Sequence, residues 1–214
     1  GYLHSLSPLT CELIYRSGAP DLLLVHSESQ IEMLKSRLNW PKNKLLLIQS
    51  LRFRLNEKES LSKKIFIPLS IHNCDKFLKE FKKLLINSPT NNFPKFDVKN
   101  HPAISNSKKH LDFKIELEKI MEIYKNRFSD TSPNKNTSIF FGVTAAVLEA
   151  LEKGINVVHI CSDPVFQSYS EQIWPNLKSR QSSEFVFHYN LISSGKLINF
   201  GTSKTLNQTL KTLI

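Results

Sequence analysis

Two hydrophobic rhythms alternate along the chain, and each change of period marks an element. Residues 138–141, Ser-Ile-Phe-Phe, form a short β-prone run and predict a buried strand. Gly142 and Val143 turn the chain, Thr144 is placed to cap a helix, and residues 145–153 are strong helix formers. Gly154 falls where a left-handed residue closes a helix, and residues 155–160 are the next apolar run. Strand, turn, helix and strand in that order predict a parallel pair with a right-handed crossover.

The same alternation recurs upstream. Residues 1–10 read as a loop leading to a short helix over 11–16. Residues 22–26 and 44–50 read as strands around a helix that buries Ile31, Leu34 and Leu38. Ser27 and Gln30 have capping-box spacing at its start, and Trp40-Pro41 ends it. Residues 51–63 are charged and patternless, so a linker is expected over 54–63 between domains at 1–53 and 64–214. Residues 64–71 restart with a strand whose Pro68 implies an edge position or a strand end. A helix over 75–86 turns Phe77, Leu78, Phe81 and Leu85 inward, and 96–100 is a short strand. Residues 108–128 predict a long helix with a stripe of Leu111, Ile115, Leu117, Met121 and Tyr124. A strand over 184–191 and a final helix over 202–214 follow, the helix expected to pack back on the first domain. The class is α/β, a Rossmann-like domain with a parallel sheet preceded by the tail of a second Rossmann-like domain.

In such sheets ligands bind at the carboxyl ends of strands, where helix N-termini point. The turn of Gly142, Thr144 and Ala145 offers backbone N–H groups and a hydroxyl there, an arrangement suited to phosphate. His101 ends the strand at 96–100, and Pro102 forces it out of the helical region, on the same rim as Thr144. Together they would clamp a diphosphate. Lys99 is adjacent, although strand alternation leaves it able to face the other side of the sheet. Glu149 shares a helix side with Glu152, opposite Val143, Val147 and Leu151, which is the pattern of a solvated face. His4 is a loop histidine and carries little by itself.

Composition narrows the partners. The net charge is +10 and the isoelectric point about 9.5. Such a balance suits phosphorylated substrates or an anionic membrane surface. The lysines are scattered as in a compositional bias, without basic-aromatic interleaving, so nucleic acid is not expected. Cys11, Cys74 and Cys161 lie far apart with no C-x-x-C pair, which predicts neither a zinc site nor a disulfide framework and fits a reducing compartment. No apolar run is long enough to span a bilayer. The first residue is Gly1, and a fragment or processed chain is expected.

Lys99-Asn100-His101-Pro102, followed some forty residues later by GVTAAVLEALEKGINVV, resembles the C-terminal domain of GT-B glycosyltransferases of bacterial surface-polysaccharide synthesis. The nearest patterns are the sialyl-, polysialyl- and CDP-glycerol-transferase types, with their HP motif and later Ser/Thr motif. Residues 20–53 resemble the end of the N-terminal GT-B domain. The resemblance implies that His101, Lys99 and Pro102 hold the donor nucleotide. It implies that Gly142, Thr144 and Ala145 bind its phosphate and that Glu149 binds a ribose or sugar hydroxyl. It implies His4 as general base on the acceptor. The chain departs from the pattern in Asn100, where the motif has proline, and in Thr144-Ala145, where it has a serine pair.

The function this implies is an inverting, metal-independent transferase. It would move a sugar or glycerophosphate-like unit from a CMP-, CDP- or UDP-activated donor to a glycan or glycolipid acceptor. No metal and no cofactor beyond the donor are expected, and no Asp-x-Asp sequence is present. The expected location is cytoplasmic, with peripheral contact at the inner face of the membrane. The alternatives are a non-catalytic nucleotide-sugar-binding relative or degenerate fragment, and a basic nucleic-acid-binding protein.

Overall fold

A computed structural model describes residues 1–3, 13–53, 61–101, 103–104, 107–162, 171, 174–201, 208 and 211. The first unit holds β1 (Leu23–Val25), α1 (Glu28–Leu38) and β2 (Leu45–Leu47), with the two strands parallel. Ser27 caps α1 by accepting the Gln30 N–H at 3.2 Å, as its spacing predicts. The reciprocal bond differs from a capping box, because Gln30 Oε1 accepts the N–H of His26 instead.

The second unit holds β3 (Lys64–Ile67), α2 (Cys74–Ile86), β4 (Asp97–Asn100), α3 (Lys108–Ile123) and β5 (Thr137–Phe141). It continues through α4 (Ala146–Glu152), β6 (Asn156–Ile160), β7 (Leu177–Ser183) and β8 (Val186–Leu191). These six strands form one sheet in the order β4-β3-β5-β6-β8-β7. The first four are parallel, and β8 and β7 add antiparallel at one edge. The chain is therefore α/β with a mostly parallel mixed sheet of Rossmann-like type.

Alternation along β5 divides the core. Ile139 and Phe141 face α2 and α3, meeting Phe77, Phe81, Phe113 and Leu117. Phe113 stands edge-on to Phe141 with ring centroids 5.1 Å apart. Phe140 points the other way, among Val147, Leu148 and Leu151 of α4 and Trp174, and Phe66 stacks on it at 4.7 Å. All five residues of β5 are buried, as expected of a central parallel strand.

Pro68 follows a strand end, one of its two expected places: β3 lies between β4 and β5 and ends at Ile67, so the proline closes an interior strand and not an edge. Two expectations change. The buried stripe of α3 is His110, Phe113 and Leu117, whereas Leu111 and Ile115 are 57% and 41% exposed. The strand β7 was not foreseen, because its pattern is almost wholly exposed and polar. The expected helix over 11–16 is not formed at residues 14–16, and the expected helix over 202–214 lies largely outside the described residues.

Residues 196–201 join the two sheets. Ser27 Oγ donates to the Lys196 carbonyl at 2.8 Å, and Asn199 N–H donates to the His26 carbonyl at 2.7 Å. Ser50 N–H donates in turn to the Asn199 carbonyl at 2.7 Å. Met33 of α1 and Phe53 complete the core on the α4 side of the larger sheet. Among the described residues, no helix is long and apolar enough to cross a membrane.

Candidate functional site

The strand order reverses beside β3. The chain runs from β3 out to β4, then returns to place β5 and β6 on the other side. At such a reversal, connections leaving the carboxyl ends diverge and open a crevice. A cleft of about 530 Å³ lies there, a volume that suits a small-molecule ligand. Its walls come from the ends of β3 and β4, the turn after β5, and Arg52 and Phe53 from the junction between the sheets.

Lys99, His101, Thr144, Ala145 and Glu149 all line this cleft. Lys99 pairs in register with Phe66, which also lines it, so the lysine faces the α4 side. The expectation that alternation could turn Lys99 away is corrected: positions 99 and 101 are two apart and share a side. Arg52 brings a second full cation, with its guanidinium 5.0 Å from the Phe53 ring centroid. It stands at the start of the charged, patternless stretch 51–63. Its signal, a basic residue where one domain hands over to the next, was too common to single out.

His101 is fixed at both ends. Its N–H donates to the Ile67 carbonyl at 3.0 Å, and its Nδ1 accepts the Ala103 N–H at 3.2 Å. A backbone N–H can only donate, so the neutral ring carries its proton on Nε2. That atom offers a hydrogen bond to an anion in either charge state of the ring.

The turn after β5 rests on Gly142, whose φ of +56° is the left-handed region. Its N–H donates to the Ile160 carbonyl at 2.8 Å, and its carbonyl accepts from His159 Nε2 at 2.6 Å. Gly142 is thus consumed in shaping the turn and does not line the cleft. Thr144 Oγ1 accepts the Ala146 N–H at 3.3 Å, and the Thr144 carbonyl accepts that of Val147 at 3.4 Å. Those two N–H groups serve the helix itself, which leaves only the turn ahead of Ala146 to offer N–H groups to the cleft.

Glu149 is not on a solvated face: it is 8% exposed and its Oε1 holds Lys153 Nζ at 2.6 Å. Lys153 lies 5.6 Å over the Phe200 ring. Glu152, on the same side of α4, accepts backbone N–H groups from Gly195 and Leu197. Residues 195–200 cover this side of the helix, a packing that local periodicity does not contain. Glu149 is paired with Lys153, and Arg52 and Lys99 are the arginine and lysine side chains that line the cleft.

His159 is the residue sequence reading missed. It is fully buried on β6, and its Nδ1 accepts from the Tyr189 hydroxyl at 3.0 Å. Burial pulls its pKa down to about 4, against a smaller opposing effect of the bond to Gly142. The imidazole is neutral at physiological pH and acts as a fixed strut under the turn. A histidine among Val157, Val158 and Ile160 was the available signal.

His4 and Pro102 lie outside the described residues. No group of histidine, cysteine and carboxylate side chains able to hold a metal ion occurs among the described residues. Cys74 and Cys161 are free thiols. Comparison with protein-family models, curated proteins and solved structures finds no match to this chain.

Proposed function

We propose that the chain is the donor-binding part of a GT-B-type glycosyltransferase. In this reading the larger sheet is the donor-side domain, and the β1–β2 unit is the end of the acceptor-side domain. A sugar or glycerophosphate-like unit passes from a nucleotide-activated donor to a surface polysaccharide or glycolipid acceptor, with inversion. The setting would be cytoplasmic, against the inner face of the membrane.

One observation carries the reading: His101, Lys99, Arg52 and the Thr144 turn, separated by up to ninety-odd positions, line a single cleft at the strand-order reversal. When the bond between the sugar carbon and the phosphate oxygen breaks, negative charge collects on the leaving nucleotide. Preset cations and N–H donors favour that charge without reorganising. Arg52 and Lys99 supply charge, and His101 Nε2–H supplies a directed donor. His4 is assigned the acceptor proton, and that role rests on the resemblance alone.

Titration with UDP, CDP and CMP tests the proposal. Binding that His101→Ala weakens by about tenfold, the worth of one charge-assisted hydrogen bond, supports it. No binding of any of the three, or unchanged affinity in the variant, contradicts it. Binding without sugar transfer would instead favour the non-catalytic nucleotide-binding relative.

A further inference from the structure

A second cleft, of about 620 Å³, opens at the opposite end of the larger sheet, near the amino ends of β5 and β6. Its floor is a cross-strand row, Val158 to His188 to Arg180, running from β6 through β8 to β7. In register, this is the apolar row Ile65–Ile139–Val158 continued outward, and it turns polar where α2 no longer covers it. A row that changes from isoleucine and valine to histidine and arginine at the same level has stopped serving the core.

The chemistry is distinctive. The cleft is lined by four asparagines, Asn92, Asn134, Asn156 and Asn190, with Arg180 and His188 and no aspartate or glutamate. The Asn134 amide donates to both the backbone and side-chain oxygens of Asn92 at 3.1 Å, so that wall is held in place before any ligand arrives. Among the described residues, no carboxylate pairs with Arg180. Burial and the charge of Arg180 both lower the proton affinity of His188, which leaves Arg180 as the cleft's full charge. Phe93 adds apolar surface at the cleft's edge.

We propose that this cleft binds a short acidic saccharide. Amides with both donors and acceptors match sugar hydroxyls, which also do both. The planar fork of Arg180 matches a carboxylate or sulfate in bidentate fashion. A neutral saccharide would leave the guanidinium unanswered, and a bare anion would leave the amides unused. The site does not depend on what the first cleft holds.

The test is an NMR titration of the whole chain with trigalacturonate, a heparin-derived tetrasaccharide, maltotriose and sodium sulfate. The expected result is binding of at least one acidic saccharide, with amide shifts at 88–92, 134, 156 and 188–190 and none at 99–101 or 143–146. Maltotriose and sulfate are expected to bind at least about tenfold more weakly. Arg180 is exposed, so Arg180→Gln should fold normally and weaken the acidic saccharide by about tenfold while leaving UDP affinity unchanged. Failure of both acidic saccharides to bind, equal binding of maltotriose, equal binding of sulfate, or an unaffected Arg180→Gln variant would each overturn it.

Discussion

His159 Nε2 donates to the Gly142 carbonyl at 2.6 Å, across the one backbone turn that must be left-handed for α4 to start beside the cleft. The residue that shapes the cleft wall is thus held from beneath by a side chain that never reaches the cleft. Because the acceptor is a carbonyl and Nδ1 is occupied by Tyr189, the ring works in one neutral tautomer only.

That neutrality sets a pH dependence. The folded-state pKa is about 4, below the ordinary 6.5, so the unfolded chain binds more protons between these values. The contribution of His159 to stability is complete above pH 6.5 and falls by about 1.4 kcal/mol per pH unit on acidification until about pH 4. His188, also depressed, adds to the same slope. Thermal unfolding from pH 8 to pH 4 should show this fall, and His159→Gln should flatten it while lowering stability at neutral pH.

Gly142→Ala places a Cβ 3.2 Å from Pro68 Cγ in a conformation that L-residues avoid. The left-handed backbone alone costs about 1–2 kcal/mol. A melting-temperature drop of roughly 3–6 °C is expected. Because Pro68 also lines the cleft, nucleotide affinity should fall as well.

Glu149 and Lys153 form a nearly buried ion pair, so removing one partner strands a charge. Lys153→Met should cost about 3 kcal/mol, and adding Glu149→Gln should restore much of it. Denaturant unfolding of the single and double variants measures the coupling.

Gly201 packs where a Cβ would overlap the Ser50 carbonyl oxygen, next to its own N–H bond to the Phe53 carbonyl. Gly201→Ala should pull residues 196–201 off the first unit. Hydrogen exchange would show it as lost protection at Ser50 and Asn199, with lower stability overall.

What was legible in the sequence was local. The β5–α4–β6 unit follows from a β-prone run, helix formers and a closing glycine. Gly154 has φ +72° and, with Ile155, donates back to Leu151 and Ala150, the closure its position predicts. His101 and Thr144 could be placed on one rim because parallel strands share their carboxyl ends. What was not legible came from distant chain. Glu149 appears solvated until residues 195–200 cover it. Strand β7 is a polar edge whose Lys178 and Arg180 discourage further pairing and hide its strand character. On α3, the stripe runs through His110, whose Nε2 donates to the distant Pro68 carbonyl at 3.1 Å, a partner that periodicity does not contain. Arg52 gains meaning only once the two sheets are joined.

The central claim is that His101 and the Thr144 turn grip one phosphate-bearing ligand. The most direct measurement is a UDP, CDP and CMP titration of the wild type and His101→Ala, followed by backbone amide shifts. At least one nucleotide should shift residues 99–101 and 143–146 together, and the variant should bind it about tenfold more weakly. Shifts at only one of those segments, or equal affinity in the two proteins, would contradict the claim.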